Sequence, residues 1–162
     1  MVVMDQYTRR IIGLSEYAGN VDGPAICRMF SQATSGQDWP ERISSDNDPL
    51  FEFHRWKANL RILEIEEIKT VPYVPMSHPF VERLIGTIRR EYLDHVPFWN
   101  ARDLERRLSC FQDYFNSERA TQRIGGVLPE PELDDATRNV PSLHNYRWKP
   151  CCHGLYQLPV AA

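Results

Sequence analysis

The stretch SHPFVERLIGTIRR, residues 77–90, carries the clearest pattern in this chain. A proline near its start suits the first turn of a helix, and one acid, Glu82, stands among apolar residues. The apolar side chains recur every four residues, as they do on the buried face of a helix: Phe80, Leu84, Ile88 and Tyr92. The pattern predicts a helix whose opening turns carry Glu82 away from the buried stripe.

A second acid, Asp46, lies upstream, with 35 residues between it and Glu82. The run Arg42-Ile43-Ser44-Ser45 before it is typical of a short strand, which we expect to end on the acid. Carboxylates on different elements can converge on hard, oxygen-seeking cations such as Mg²⁺. Two such ions can stabilise both sides of a phosphoryl transfer. Two acids at this distance are weak evidence by themselves, and the residues around each of them make the pair specific.

Length and composition favour one domain with a real core. The chain has 162 residues, of which 42% are hydrophobic and 25% charged, ordinary values for a globular protein. We find no long apolar run, so we expect no membrane contact and a cytoplasmic location. The net charge of −3 counts against a generally basic, DNA-covering protein, and any surface that binds DNA has to be local.

The four cysteines do not have the spacing of a zinc site. They are Cys27, Cys110, Cys151 and Cys152, and the adjacent pair lacks the two-residue gap of zinc ligand pairs. We expect free, reduced thiols.

The remaining pattern alternates short strands and helices, which predicts an α/β layered domain. We expect a hairpin from residue 1, a helix from Asp22 to about Ser35, a short helix after Pro49 and a strand over residues 65–71. A further helix after Asn100 should bury four residues: Leu104, Leu108, Phe111 and Phe115.

Three motifs in order resemble the integrase catalytic core of retroviral integrases and insertion-sequence transposases. They are residues 44–50 (SSDNDPL) around Asp46, residues 75–91 around Glu82, and Tyr114-Phe115-Asn116 with Arg119, Gly125-Gly126 and Pro129. The 35-residue interval between the acids is also characteristic of that family. The resemblance implies an RNase H-like fold, a mixed β-sheet flanked by helices, and metal-dependent cutting and joining of DNA in transposition.

The resemblance covers residues 1–130, and we expect residues 131–162 to form an irregular C-terminal tail. Residues 1–13 resemble the family's second strand, so the first strand, with the first acid of the family's triad, is expected to be missing through N-terminal truncation. Asp5 follows the apolar run Val2-Val3-Met4, but we interpret it as a turn-forming residue. With two of three acids, we expect impaired or absent catalysis.

The resemblance also implies roles for individual residues. Asp46 and Glu82 would be catalytic and would hold Mg²⁺ or Mn²⁺, while Arg89 would contact DNA near them. Charge pattern alone favours a solvated surface arginine at position 89. Arg83 and Arg90 would add phosphate contacts, unless such arginines pair with Glu91 and Asp94.

The expected partners are DNA, as mobile-element ends and as target, and further copies of the chain. Two alternatives remain open. One is a catalytically inactive transposase remnant that binds DNA or self-associates. The other is a metal-dependent nuclease that uses Asp5 as a third ligand.

Overall fold

The computed structural model describes residues 1–46, 48–69, 79–119 and 146–161. In chain order the elements are β1 (Val2–Met4), β2 (Ile11–Leu14), α1 (Gly23–Ala33), β3 (Arg42–Ser45), a 3₁₀ helix (Pro49–Glu52), α2 (His54–Ile62), β4 (Glu66–Lys69), α3 (Pro79–Thr87), a π-helix (Ile88–Leu93), α4 (Ala101–Ser117), β5 (Tyr146–Cys151) and β6 (Tyr156–Ala161).

The strands pair in both senses, as an α/β layered domain allows. β1 and β2 form an antiparallel hairpin, with Val2 opposite Leu14. β3 and β4 run parallel, Arg42 lying opposite Glu66, and the 3₁₀ helix and α2 connect them. β5 and β6 form a second antiparallel hairpin. The described residues thus contain three two-stranded ladders beside four α-helices.

Helix α1 begins where the sequence predicted. Asp22 is its N-cap, and its carboxylate accepts a hydrogen bond from the Ala25 amide at 2.7 Å. At the other end the helix approaches β2 closely. A Cβ on Gly13 would lie 1.7 Å from the carbonyl oxygen of Ala33, so only glycine fits at this contact.

Two groups of buried side chains form the core. The first lies between the hairpin β1–β2 and the pair α3–α4, and its buried members are Ile11, Leu84, Ile88, Tyr92, Val96, Phe111, Phe115 and Cys152. The second lies where α1 and α2 contact each other, and its buried members are Ile26, Phe30, Trp56, Leu60 and Ile65. Residues of β1 pack against both groups, so this strand is covered on two faces.

The predicted stripe on the Glu82 helix is buried, but the helix changes geometry partway. Leu84, Ile88 and Tyr92 are buried as expected, and Phe80 is half-buried. From Ile88 the backbone adopts π-helical hydrogen bonding, in which the Asp94 amide donates to the Arg89 carbonyl at 2.9 Å. Such π segments are uncommon and frequently lie at functional sites.

The expectation of an irregular tail is wrong for residues 146–161. These residues form the β5–β6 hairpin, which packs on α4. Tyr156 stacks on Tyr114 with ring centroids 4.4 Å apart, and Cys152 is 2% exposed within the first core group. Residues 131–145 and 162 of the predicted tail lie outside the described residues.

In the part of the chain that is described, none of the helices combines the length and apolar character needed to cross a membrane.

Candidate active site

Asp46 lies directly after β3, within one residue of the predicted position, and its side chain is exposed. Its carboxylate accepts a hydrogen bond from the Asp48 amide at 3.2 Å. Asp48 in turn caps the 3₁₀ helix by accepting from the Leu50 amide at 2.8 Å. Asp48 therefore has a structural role, because its hydrogen bonds fix the turn after Asp46. Asn47 lies outside the described residues.

A half-buried carboxylate, Glu67 on β4, supports the end of β3. It accepts a hydrogen bond from the Ser45 hydroxyl at 2.7 Å and another from the Trp56 indole at 3.0 Å. Both donors are buried, so Glu67 satisfies two polar groups that have lost access to water. Sequence reasoning missed this residue. Its only signal was an acid inside a predicted strand, which is an unfavourable position unless a buried donor needs it.

Beside Glu67, a row of opposite charges continues along the surface. The Lys69 ammonium lies 3.7 Å from Glu67 and also binds Glu52, which pairs with Lys57 as well. Hydrogen bonds from Lys57 and Lys69 lower the pKa of Glu52 to about 2. Glu52 therefore stays ionised throughout the physiological range.

Glu82 lies in the first turn of α3, and its side chain is exposed, as is that of Arg83 beside it. Within residues 1–46, 48–69, 79–119 and 146–161, no three His, Cys, Asp or Glu side chains form a group able to hold a metal ion. Asp46 is thus exposed directly after the predicted strand and Glu82 is exposed on the predicted helix, and a shared metal between them stays a prediction.

The two arginines of the π-helix have different surroundings. Arg89 is exposed and lines a largely apolar groove of about 450 Å³, together with Ile85 and Phe98. Arg90 lies back over the preceding turn, where a Cβ on Gly86 would be 3.3 Å from its guanidinium. Both side chains remain accessible to a polyanion.

Glu91 pairs with an arginine from another element. Arg119, just beyond α4, donates to both carboxylate oxygens of Glu91, one of these contacts being 3.2 Å long. Burial alone would lower the pKa of Arg119, but the hydrogen bonds and charge of Glu91 outweigh burial and raise it. A bidentate pair of this kind fixes the relative orientation of two elements.

Asp5 forms the turn between β1 and β2, as expected. Its carboxylate accepts from the Thr8 hydroxyl at 2.6 Å and from the Tyr7 amide at 2.8 Å. Burial alone would raise the pKa of this carboxyl, but the hydrogen bonds from Thr8 and Tyr7 outweigh it and lower the pKa. Both carboxylate oxygens therefore have structural partners inside the turn.

Part of the chain, including Glu82, is similar to known sequences. The sequence model described as "Integrase core domain" matches residues 63–129, which include Glu82 and both π-helix arginines. A curated relative from Xanthomonas euvesicatoria, "Insertion element IS476 uncharacterized 39.2 kDa protein", is 23% identical over 129 residues. That alignment covers 80% of this chain and 37% of the relative, so the chain spans just over a third of that protein's length.

Solved structures show the same fold. The catalytic core domain of bovine immunodeficiency virus (BIV) integrase superposes with a TM-score of 0.59 at 21% identity, covering 79% of this chain and 80% of that one. The core domain of HTLV-2 integrase, solved with magnesium in a trimeric form, gives 0.59 at 20% identity, with 79% of each chain covered.

A simian T-cell lymphotropic virus intasome, in complex with the PP2A regulatory subunit B56 gamma, superposes with a TM-score of 0.62 at 18% identity. It covers 98% of this chain and 60% of the matched chain. The match over residues 63–129, the insertion-element relative and the solved structures confirm the resemblance drawn from the motifs: this chain is similar to integrase and transposase cores and has their RNase H-like fold.

Proposed function

We propose that this chain acts in transposition as a polynucleotidyl transferase core, in which Asp46 and Glu82 are the catalytic carboxylates. The observation that carries the proposal is their placement on an integrase-type fold. One acid is exposed at the end of a parallel strand, and the other is exposed on the first turn of the helix that the family model includes. We assign the core to residues 1–130, and the hairpin of residues 146–161 packs on it.

The donor chemistry of the two acids fits a hard divalent cation. Asp46 and Glu82 offer exposed carboxylate oxygens, the ligands that Mg²⁺ and Mn²⁺ prefer. When bound, the cation supplies Lewis-acid activation of the phosphodiester and of the attacking hydroxyl. The HTLV-2 integrase core was solved in complex with magnesium, which supports the same choice of ion here.

The arginines supply the contacts to DNA. Arg89, Arg83 and Arg90 are exposed on and next to the helix that carries Glu82, so their charges can hold phosphates beside the carboxylates. The DNA partners would be the mobile-element ends and the target. We place the reaction in the cytoplasm, in an assembly of several copies, as the trimeric and intasome forms of the structural relatives suggest.

Strand transfer and metal binding test the catalytic assignment together. Asp46→Asn and Glu82→Gln should each abolish Mg²⁺-dependent joining of a labelled oligonucleotide to duplex DNA and weaken Mn²⁺ binding severalfold, since a ligand lost from a cluster affects the whole unit. Asp38→Asn and Glu41→Gln are matched controls because both carboxylates are exposed outside the motifs. Unchanged activity and Mn²⁺ affinity in both site variants would refute the assignment.

The second candidate function is binding of DNA without cutting. It is favoured by the two-acid site, because the described residues bring no third ligand into a group with Asp46 or Glu82. In that case the unaltered chain would bind duplex DNA in a salt-dependent way and join no strands in either Mg²⁺ or Mn²⁺. Arg89→Ala would still weaken the binding.

A further inference from the structure

The C-terminal hairpin donates a hydrogen bond to the backbone of the π-helix. The Tyr156 hydroxyl donates a hydrogen bond to the Glu91 carbonyl oxygen at 2.9 Å. The Glu91 carboxylate also accepts two hydrogen bonds from the Arg119 guanidinium. Glu91 is thus held by three hydrogen bonds, from the end of α4 and from β6, while it lies in the middle of the π-helix.

Glu91 lies inside a π-helical turn that is closed by a backbone hydrogen bond. The Asp94 amide donates to the Arg89 carbonyl, a π-type bond that spans Glu91. A change from α-helical to π-helical hydrogen bonding alters the pairing of the backbone groups in that turn, and backbone groups away from water need partners. The Tyr156 hydroxyl supplies such a partner from outside the helix.

Tyr156 is well suited to be a permanent donor. Its ring stacks on Tyr114 at an interplanar angle of 8°, which holds the hydroxyl in place. Burial, followed by the proximity of Tyr114 and Glu91, raises the pKa of Tyr156 to about 12. The hydroxyl therefore keeps its proton at every pH at which DNA strand transfer would be measured.

We infer that Tyr156 is a positioning residue, which maintains the π-turn through the Glu91 carbonyl and so sets the direction in which Arg89 meets DNA. This inference rests on the proposed function, because it assumes that Arg89 contacts phosphate. It gives the hairpin a role in DNA binding in which its own side chains make no contact with DNA.

A double-mutant cycle on DNA affinity tests the inference. Tyr156→Phe removes one oxygen and should weaken binding of a fluorescein-labelled DNA duplex by about threefold, within the range of one hydrogen bond. In an Arg89→Ala background the same change should have almost no effect, because the residue through which it acts is gone. Equal weakening in both backgrounds would overturn the inference, since a loss of general stability is additive.

Amide exchange provides a second measurement in the same variants. The Asp94 amide should exchange about tenfold faster in Tyr156→Phe, whereas the Thr34 amide, bonded to Phe30 in α1, should be unchanged. Tyr17→Phe is the matched control, because the Tyr17 hydroxyl contacts Arg28 at 3.1 Å, away from the π-helix. An unchanged Asp94 rate in Tyr156→Phe would overturn the role of the hydroxyl in the turn.

The two measurements also separate the two proposals. If Arg89→Ala leaves DNA affinity unchanged, the DNA contact proposed for Arg89 fails, and with it the positioning of Arg89. Asp94 exchange in Tyr156→Phe then shows whether the hydroxyl maintains the π-turn in its own right. If Arg89→Ala weakens binding but Tyr156→Phe does not, only the inference about Tyr156 is overturned.

Discussion

Asn116 and Ile11, 105 positions apart in the chain, exchange two hydrogen bonds through the buried amide of Asn116. The Ile11 amide donates to the Asn116 oxygen at 2.9 Å, and the Asn116 nitrogen donates to the Ile11 carbonyl at 3.0 Å. The Asn116 side chain of α4 thereby provides β2 with the donor and acceptor that a neighbouring strand would provide. This contact joins the beginning of the chain to the helix that supports the Glu82 segment.

Asn116→Ala should destabilise the fold by about 2 kcal/mol, because it leaves the Ile11 amide buried without its acceptor. The Ile11 carbonyl is less affected, since Gln112 also donates to it at 3.2 Å. Urea unfolding measures the loss. Ser109→Ala, at an exposed position of the same helix, should change stability by less than about 0.5 kcal/mol. A similar effect in both variants would contradict the role of Asn116.

Gly13→Ala should be strongly destabilising, by about 3 kcal/mol, because the added carbon would lie 1.7 Å from the backbone oxygen of Ala33. Neither β2 nor α1 can move away without breaking the packing of its own buried residues, such as Ile11 and Phe30. Thermal unfolding checks this, and a melting temperature equal to that of the unaltered chain would contradict the close approach.

Gly86→Ala should have the opposite sign. Glycine inside a helix is less favourable than alanine by up to about 1 kcal/mol. Among the described residues, its close neighbour is the flexible end of Arg90 at 3.3 Å, which can shift by a few tenths of an ångström. We expect a stabilisation of about 0.5 kcal/mol in urea unfolding. A loss of stability would mean that Arg90 is held rigidly against this turn.

Glu67→Ala should cost about 2 kcal/mol, because the Ser45 hydroxyl and Trp56 indole both lose their acceptor. Glu67→Gln keeps an oxygen in that place and should cost clearly less. Denaturant unfolding followed by tryptophan fluorescence measures both variants. Equal losses would show that the negative charge near Lys69, rather than the two hydrogen bonds, is what stabilises the strand end.

The Asp5 turn should contribute stability that depends on pH. The folded protein lowers the pKa of Asp5, so this contribution is present above the unfolded pKa of about 3.9 and is lost as the pH falls through the folded value. Thr8→Ala removes the hydroxyl donor and should raise the Asp5 pKa in an NMR titration. The acid-sensitive part of stability should then shrink, and an unchanged titration would contradict the assigned cause.

Most of the architecture could be predicted from local pattern. Asp22 before Gly23-Pro24 marked the start of α1, and the four-residue spacing of Leu84, Ile88 and Tyr92 marked the buried face of the Glu82 helix. These signals depend on residues close together in the chain. The change to π geometry at Ile88 could not be predicted from local pattern. The hydroxyl that bonds to the Glu91 carbonyl belongs to Tyr156, which lies 65 positions downstream of Glu91.

The C-terminal hairpin was missed for a different reason. Pro129, Pro131 and Pro141 favoured an irregular segment, and β5 and β6 themselves contain Pro150 and Pro159, which have no amide proton to donate to a sheet. A two-stranded hairpin has an open edge on each strand, and an edge position does not need that proton. Prolines therefore fit in β5 and β6, where a central strand would exclude them.

The candidate site was predictable only as separate residues. The motifs placed Asp46 after a strand and Glu82 in the first turn of a helix, and the structure agrees on both positions. Glu67 could not be found, because its importance comes from the buried Trp56 indole of α2 and the Ser45 hydroxyl of β3, which both donate to it. Such polar groups become visible only when the fold shows what is buried.

The reactivity of the Cys152 thiol can report whether the C-terminal hairpin is packed on α4. The residue is 2% exposed, and burial raises the pKa of its thiol to about 12, while the adjacent Cys151 is half-buried. An alkylating reagent reaches Cys152 only when the hairpin lifts from α4, so the rate of labelling at this one sulfur measures how often that happens. Detachment of the segment that carries Tyr156 can therefore be followed by mass spectrometry of the natural sequence, without introducing a cysteine by mutation.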